Sequence, residues 1–313
     1  MGPQPNFIVF QCYGNEAVFY ECAYALLSLA SLYKRDGDPA LYWDDPPPVD
    51  LQVWIYTDNP EWFQLLNGIS LSLNFRVVDP NIIWQWRGKI DFTHRVKIEV
   101  LKDFSKERNG NVLYVDTDVV FIQKIDKLLH DLGEAKLYMH VMEGIVSEKG
   151  NHMLAKLNDY LQEYVPLKVN GKPIQDLAMW NAGVIGFNTK YRYLLNDVLA
   201  FTDSEYPRFQ KHIMEQFAFS VNFQQTADIK TAAPYIVHYW NLKEARKVLA
   251  SFFAYFGNKG IEEMMRCAPL IQVHVLMQEK MNFMHNRSIL DKLLKKEWQP
   301  ALHDWKELIK TIA

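Results

Sequence analysis

Apolar residues along this chain come in short runs that are separated by stretches of helical spacing. The runs are rich in Val, Ile, Leu and aromatic side chains and predict β-strands at residues 6–12, 51–57, 73–78, 111–115 and 136–141. Between them, helices are predicted over residues 16–34, from Pro60 onward, and over 91–105, where apolar residues recur four positions apart. The stretch 42–50 contains three consecutive prolines and predicts a surface loop.

Strands that alternate with helices predict an α/β fold with a mostly parallel sheet and helices on both faces. In such sheets ligands bind at the carboxyl ends of the strands. The final 70 or so residues are more helical and more charged, with helical spacing interrupted at Pro300. We therefore expect one catalytic domain over residues 1–243 and a helical extension over 244–313 that packs on it.

Composition excludes several classes of protein. The chain is 49% hydrophobic and 23% charged, which gives it enough apolar surface for a sizeable core and argues against disorder. A net charge of -3 argues against a nucleic-acid binder that relies on a basic surface. The sequence has no apolar run long enough for a transmembrane anchor and no basic segment typical of a signal peptide. Its three cysteines lack CxxC spacing, which argues against a disulfide framework or a zinc site and favours the cytoplasm.

The most informative segment is VLYVDTDVV, in which Asp116 and Asp118 follow a buried strand. Two carboxylates at the end of a strand can reach one hard divalent cation, such as Mg²⁺ or Mn²⁺. The aspartates could instead cap backbone amides in a turn. The pattern is also compatible with haloacid-dehalogenase-type phosphatases, in which the first aspartate attacks phosphate, and with the metal-binding DxD of GT-A glycosyltransferases. Three predicted strands precede it, which favours the second enzyme class.

Further motifs follow in an order that resembles the family 8 glycosyltransferases and their GT-A relatives. The resemblance spans roughly residues 6–245. It rests on the opening strand and helix, on RVK before the DTD, and on the later segments MWNAGVIGFN, MEQ and VHYWNLK. The resemblance implies a GT-A fold and a hexosyltransferase that uses a nucleoside diphosphate sugar, expected to be a UDP-sugar.

The same resemblance implies roles for individual residues. The expected metal ligands are Asp116, Asp118 and His238, and the expected ion is Mn²⁺ or Mg²⁺. The residues expected to contact the reacting sugar are Gln216, Glu215 and Asn181. The residues expected to bind the rest of the donor are Asn15, Arg95, Lys97, Thr117, Ala182, Gly183 and Lys243.

Ordinary structural roles compete with some of these assignments. Arg95 and Lys97 are two positions apart on a predicted helix, so at least one of them is expected to be a solvated charge. His238 could be a buried histidine that bonds to backbone. Two carboxylates and one imidazole nevertheless make a chemically sensible divalent-cation site.

The predicted activity is metal-dependent transfer of a sugar to a glycan or another hydroxyl acceptor, with retention of configuration. A non-catalytic GT-A-like protein that binds a nucleotide or glycan remains an alternative, and a phosphatase is a weaker one. The expected location is the cytoplasm, with peripheral contact at the inner face of the membrane as a further option. The motifs GxxxxGK[ST] and GxGxxG are absent from the sequence, which disfavours P-loop and dinucleotide-binding proteins.

Overall fold

The order of strands and helices follows the alternation predicted from the sequence. A computed structural model describes residues 4–33, 50–148 and 150–310. The predicted loop at 42–50 lies outside the described residues, apart from its last residue. Within the described ranges the strands are β1 (Asn6–Cys12), β2 (Leu51–Thr57), β3 (Ser72–Val77), β4 (Asn111–Val115), β5 (Val119–Phe121), β6 (Leu137–Met139), β7 (Met142–Ile145), β8 (Lys168–Val169), β9 (Lys172–Pro173), β10 (Ala178–Trp180), β11 (Val184–Asn188), β12 (Ile229–Thr231) and β13 (Ile236–His238).

The helices lie between the strands and continue beyond the last of them. They are α1 (Glu16–Leu32), α2 (Pro80–Arg87), α3 (Arg95–Glu107), α4 (Asp126–Gly133), α5 (His152–Tyr164), α6 (Leu194–Glu205), α7 (Met214–Thr226), α8 (Ala245–Phe256), α9 (Ile261–Cys267), α10 (Val273–Asn286), α11 (Ile289–Leu293) and α12 (Trp305–Ile309). The helix predicted from Pro60 is a 3-10 helix, Pro60–Leu66. Among the described helices, none has the combination of length and apolar character that crossing a bilayer requires.

The central sheet has seven strands in the order β12-β6-β11-β4-β1-β2-β3. β11 is antiparallel to both of its neighbours, and the other pairs are parallel. The predicted α/β fold with a mostly parallel sheet is therefore confirmed. Because β1, β2 and β4 are parallel, the residues that follow them meet at one edge of the sheet.

Both faces of the sheet are covered by helices. Ile8 and Phe10 of β1 pack into a cluster with residues of α1, α4, α8 and α9, while Phe7 and Val9 pack into a second cluster with α3, α6 and α7. Alternate side chains of one strand point to opposite faces, so a strand covered on both sides must be apolar throughout. This explains why the predicted strands are continuous apolar runs.

Within the described residues, three two-stranded ribbons lie outside the central sheet: β5 with β13, β7 with β10, and β8 with β9. All three are antiparallel. The first two carry residues 119–121, 142–145, 178–180 and 236–238. These residues surround the carboxyl end of β4, so the ribbons form the walls of a site there.

Candidate functional site

Asp116 and Asp118 lie where the chain leaves the buried strand β4. The backbone N–H of Asp116 donates to the carbonyl of Gly183 at 2.8 Å, and the carbonyl of Asp118 accepts from the N–H of Tyr239 at 3.0 Å. β5 then pairs with β13 so that Val119 is opposite His238. These backbone contacts bring an imidazole from a distant part of the chain to the two aspartates.

The side chains of Asp116, Asp118 and His238 form a group that could hold a metal ion, with their ligand atoms within 4.8 Å of one another. Nε2 of His238 is 3.1 Å from Oδ1 of Asp118 and 3.8 Å from Oδ2 of Asp116. Neighbouring ligands on an octahedral ion with bonds of about 2.1 Å are about 3 Å apart. These residues therefore fit a hard divalent cation in both chemistry and spacing.

Asn181 determines which nitrogen of His238 faces the aspartates. Nδ2 of Asn181 donates to a carboxylate oxygen of Glu143 at 2.9 Å, and its Oδ1 accepts from the N–H of Gly183 at 2.9 Å. The same Oδ1 lies 2.9 Å from Nδ1 of His238, so Nδ1 must be the donor in that bond. Nε2 therefore faces the two carboxylates, where it can donate a proton to Asp118 or, without that proton, bind a cation.

Position 183 must be glycine because the imidazole of His238 lies against its backbone. A Cβ at this position would lie 2.1 Å from Nδ1 of His238. The ring is held on both sides by Asn181 and Asp118, so it could not move aside without losing these contacts. The Asn-Ala-Gly segment thus orients the imidazole and also leaves room for it.

Two lysines neutralise the aspartates. Nζ of Lys97 lies 3.2 Å from Oδ1 of Asp116 and donates to the carbonyl of Ala182 at 2.9 Å, and Nζ of Lys243 donates to Asp118 at 2.7 Å. Lys97 is buried, whereas the side chain of Lys243 is 53% exposed. Burial alone would raise the pKa of Asp118, but His238 and Lys243 outweigh it and hold the pKa well below its ordinary value.

Glu215 is a buried carboxyl group beneath the site. Its Oε1 is 3.4 Å from Nζ of Lys97 and makes no hydrogen bond of normal geometry. Burial raises the pKa of Glu215 to about 7, despite the opposing effect of Lys97. The structure brings Glu215 to the predicted site, where this carboxyl is poorly stabilised in its charged form.

Glu143, on β7, is a central residue of the site that no sequence motif indicated. Its two carboxylate oxygens accept from Nδ2 of Asn181 at 2.9 Å and from Nε2 of Gln216 at 2.8 Å. Oε1 of Gln216 in turn accepts from the N–H of Ala182 at 3.3 Å. Glu143 lies in the four-residue strand β7, which is too short to show a recognisable pattern. Its position depends on the pairing of β7 with β10, which the sequence does not reveal.

These residues share a cavity of about 730 Å³ at the carboxyl end of β4. Its volume suits a ligand of nucleotide-sugar size. The lining residues are His94, Lys97, Asp116, Asp118, Glu143, Asn151, Met153, Leu154, Asn181, Ala182, Gly183, His212, Ile213, Glu215, Gln216, His238, Trp240 and Lys243.

Three residues of the predicted donor site do not line this cavity. Nε and Nη2 of Arg95 bind Asp203 at 2.7 and 3.1 Å, and its Nη1 donates to the carbonyl of Trp86, so Arg95 ties α3 to α6 and α2 and does not face a ligand. Asn15 caps α1 by accepting from the N–H of Ala17 at 2.8 Å. Thr117 is buried between the two aspartates. Of the basic pair before β4, the structure therefore brings only Lys97 to the cavity. The expectation that one of the pair is a solvated charge is wrong, because both are buried.

A second group of possible ligands, among the described residues, lies on α4 and at the residue that follows it. It consists of His130, Asp131 and Glu134. Asp131 accepts from Lys136 at 2.8 Å and from Lys230 at 2.7 Å. The side chains of His130 and Glu134 are exposed, and Glu134 also pairs with Lys136 at 2.6 Å, so we assign no ion to this group.

Comparisons with known proteins yield structural similarities at low sequence identity. No protein-family model matches the sequence, and no curated protein matches it. The chain is similar to the galactosyltransferase LgtC in complex with donor and acceptor sugar analogs, with 17% identity over 68% of this chain and 69% of that chain, and a TM-score of 0.44. It is similar to mouse xyloside xylosyltransferase 1 in its apo form, with 11% identity over 72% of this chain and 84% of that chain, and a TM-score of 0.48.

A third similar structure is the glycosyltransferase GlyE of Streptococcus pneumoniae TIGR4. The identity is 16%, over 82% of this chain and 51% of that chain, with a TM-score of 0.43. All three TM-scores lie below 0.5, so the function proposed for this chain rests on its own residues.

Proposed function

We propose that this chain is a metal-dependent glycosyltransferase that moves a sugar from a nucleoside diphosphate sugar to a glycan or another hydroxyl acceptor. The observation that carries the proposal is the convergence of Asp116, Asp118 and Nε2 of His238 at the edge of a large cavity. Two carboxylates and one imidazole at this spacing are ligands that suit a hard divalent cation. The choice of UDP as the nucleotide follows from the sequence resemblance.

Asp116, Asp118 and His238 would hold Mn²⁺ or Mg²⁺. When bound, such an ion supplies a Lewis acid that stabilises negative charge on the departing diphosphate. Lys243 is exposed and only 2.7 Å from Asp118, so its ammonium group can reach a diphosphate at the same place. Lys97 adds a fixed positive charge behind Asp116.

The amide groups of Asn181 and Gln216, together with the Glu143 carboxylate between them, would orient the sugar. Each of these side chains is held by a hydrogen bond to another, which fixes their positions before a ligand arrives. Ala182 and Gly183 present backbone next to this network. The transfer step requires that the anomeric carbon of the sugar face the acceptor.

We propose retention of the anomeric configuration. An inverting enzyme needs a carboxylate base that faces the acceptor hydroxyl. Among the described cavity residues, Glu215 is buried beside Lys97, and both oxygens of Glu143 already accept hydrogen bonds from amides. Proton NMR of the first-formed product from an α-linked UDP-sugar tests this proposal, and a β-linked product would contradict it.

The main test is the melting temperature with UDP alone, with Mn²⁺ alone and with both. A ligand at 100 times its Kd stabilises the fold by about 2.7 kcal/mol, which raises the melting temperature of a protein of this size by a few degrees. We expect this increase only when UDP and Mn²⁺ are both present. An equal increase with UDP alone would contradict a metal bridge.

Variants of two of the three proposed ligands make the test specific to this site. Asp118→Asn and His238→Ala should abolish or strongly reduce the increase caused by UDP with Mn²⁺. Asp131→Asn is the matched control, because Asp131 belongs to the other acidic group and is bound by lysines. It should lower the starting melting temperature and leave the ligand-dependent increase unchanged.

The two alternatives are separated by turnover. A non-catalytic binding protein would show the full increase in melting temperature and release no sugar from any UDP-sugar. A haloacid-dehalogenase-type phosphatase would show no preference for UDP over phosphate. The DTD motif follows the fourth strand of the chain, after three parallel strands, which supports the glycosyltransferase.

For its location we propose the cytoplasm, with peripheral contact at the inner face of the membrane. The three cysteines are free and buried, which suits a reducing compartment. Leu290, Leu293, Leu294 and Leu302 are more than 60% exposed near the end of the chain, which is unusual for large apolar residues and suits contact with lipid. Co-sedimentation with anionic vesicles tests the membrane contact.

A further inference from the structure

The cavity has one wall that carries none of the charged groups. We call it the outer wall, and its residues are His94, Asn151, Met153, Leu154, His212 and Ile213. Every Asp, Glu, Lys and Arg among the described cavity residues lies elsewhere, at Lys97, Asp116, Asp118, Glu143, Glu215 and Lys243. The outer wall is thus the neutral part of the lining, and it adjoins the charged part at His94, which lies close enough to Lys97 and Asp116 to be affected by both charges.

The outer wall is a continuous surface. Met153, Leu154 and Ile213 pack into one apolar cluster together with Phe92. The ring of His94 lies 5.4 Å from that of Phe92 and 6.3 Å from that of His212, measured between centroids. Leu154 and Ile213 are only 3% and 7% exposed, so the apolar base of the wall is fixed by packing.

The neutral part adjoins the groups that would hold the sugar. A side chain on Gly144 would meet Cδ1 of Leu154 at 3.4 Å, so Leu154 lies over the residue that follows Glu143. Ile213 directly precedes α7 and is three residues from Gln216, which places both on one side of that helix. The amides of Asn181 and Gln216 therefore lie between the proposed metal ligands and the outer wall.

We propose that the outer wall binds the acceptor, and that the acceptor is an uncharged glycoside with an apolar face or an apolar aglycone. This inference rests on the proposed function, because it takes the charged part of the cavity for the nucleoside diphosphate sugar. An anionic acceptor would lose solvation on binding, and the cation next to this wall, Lys97, is buried and already paired with Asp116 and Glu215. An uncharged glycoside packs its apolar surface on Met153 and Leu154 and exchanges hydrogen bonds with the imidazoles of His94 and His212.

The experiment uses a matched pair of probes with the full chain. Isothermal titration measures the binding of p-nitrophenyl β-glucoside and of p-nitrophenyl β-glucuronide to protein that is saturated with UDP and Mn²⁺. The two differ by one carboxylate. We expect the glucoside to bind at least tenfold more tightly. Equal binding of the two, or no binding of either, would overturn the proposal.

Variants locate the binding surface. Met153→Asp should weaken glucoside binding at least tenfold and Met153→Leu should preserve it, while the increase in melting temperature caused by UDP and Mn²⁺ stays the same in both. Met281→Asp is the control, because Met281 is 63% exposed and does not line the cavity. Unchanged glucoside binding by Met153→Asp would overturn the assignment to the outer wall.

The same measurements separate this inference from the proposed function. If UDP and Mn²⁺ do not stabilise the protein, the proposed function fails, and the glucoside titration on the free protein still tests the outer wall. If they do stabilise it and the glucoside does not bind, only the acceptor assignment is wrong.

Discussion

Asn181 is the residue on which the arrangement of the site depends most. Its Oδ1 accepts from Gly183 and from His238, and its Nδ2 donates to Glu143. One side chain therefore connects the imidazole at the metal end with the carboxylate at the sugar end. Residues that orient a metal ligand in this way commonly affect metal affinity by 10- to 100-fold.

We expect Asn181→Ala to lower the affinity for Mn²⁺ in the presence of UDP by at least tenfold. Without the Oδ1 acceptor, Nδ1 of His238 no longer has to carry the proton, and Nε2 is no longer reserved for a cation. Free Mn²⁺ can be measured by electron paramagnetic resonance. Asn196→Ala, at an exposed position on α6, is the control. Wild-type affinity in Asn181→Ala would show that the imidazole is oriented by other contacts.

Glu215 gives a prediction about pH. Its folded-state pKa of about 7 lies above the ordinary value of 4.5, so its contribution to stability is complete below pH 4.5 and is lost as the pH rises toward and through 7. Glu215→Gln does not titrate and avoids this loss. We expect the difference in the free energy of unfolding, variant minus wild type, to increase by on the order of 3 kcal/mol between pH 4.5 and pH 8.5. Urea unfolding at several pH values measures it, and a difference independent of pH would mean that the carboxyl is not strained by burial.

At the scale of elements, the sequence predicted the parallel part of the sheet well. The strands beginning at Asn6, Leu51 and Asn111 have the predicted bounds, because each is a continuous apolar run buried on both faces. α3 begins at Arg95, four residues after its predicted start, since Asp91 has a φ of +50° and cannot be helical. The local pattern of apolar residues was sufficient to predict the bounds of those strands that are buried on both faces.

The antiparallel elements could not be predicted in the same way. β5, β10 and β13 have three residues each, too few to show a period, and their partners are distant in sequence. The motif predicts His238 as a metal ligand, and the structure brings it to Asp118 through the pairing of β13 with β5. Glu143 has no motif, so only the fold reveals it. A site that is assembled by short ribbons is predictable only at the positions that carry family motifs.

One ion pair fixes the start of α8, the helix that follows His238 and Lys243. Nε and Nη2 of Arg246 bind the two oxygens of Glu21 on α1 at 2.8 and 3.0 Å, and Glu21 is 1% exposed. Burial raises the pKa of Glu21 even though Arg246 opposes the change. The pair is thus a buried connection between two helices that pack on the same face of the sheet.

We expect Arg246→Met to lower the free energy of unfolding by about 3–5 kcal/mol, because it leaves a buried carboxylate without a partner. The double variant Glu21→Gln with Arg246→Met should recover most of this loss. Arg266→Met is the control, since its partner Glu263 is partly exposed and such pairs contribute about 1 kcal/mol or less. Guanidinium unfolding curves measure all three, and an equal cost for Arg246→Met and Arg266→Met would contradict the prediction.

At the scale of the whole molecule, the C-terminal extension shares its core with the sheet. Phe252 and Phe256 of α8 belong to the same apolar cluster as Ile8 and Phe10 of β1, and so do Trp298 and Trp305 near the end of the chain. The helices and the break at Pro300 agree with the sequence, since α11 ends at Leu293 and α12 begins at Trp305. The division at residues 243 and 244 stays a prediction, because the core continues across it.

Trp305 tests how far the extension supports the fold. Its ring packs edge-on against Phe252 and Phe256 with centroids 5.5 and 5.7 Å apart, and its Nε1 donates to Ser251. We expect Trp305→Ala to lower the free energy of unfolding by about 3–5 kcal/mol. The increase in melting temperature with UDP and Mn²⁺ should be unchanged.

The exposed Leu302, close by in sequence, provides the control, because Leu302→Ala removes a side chain that is 62% exposed and should change stability by about 0.5 kcal/mol or less. A similar small effect for Trp305→Ala would show that the extension is attached to the sheet by other residues.

The contact between Gly183 and His238 also limits how this sequence can evolve. A single step to alanine at position 183 would put a methyl group 2.1 Å from the imidazole, whereas the same alanine could be accommodated once the ring had been lost. Every descendant that keeps the imidazole of His238 in its present place must therefore also keep glycine at position 183, although the two positions are far apart in the chain. Alanine at position 183 in a homologue would identify a lineage in which selection for the imidazole has already been relaxed.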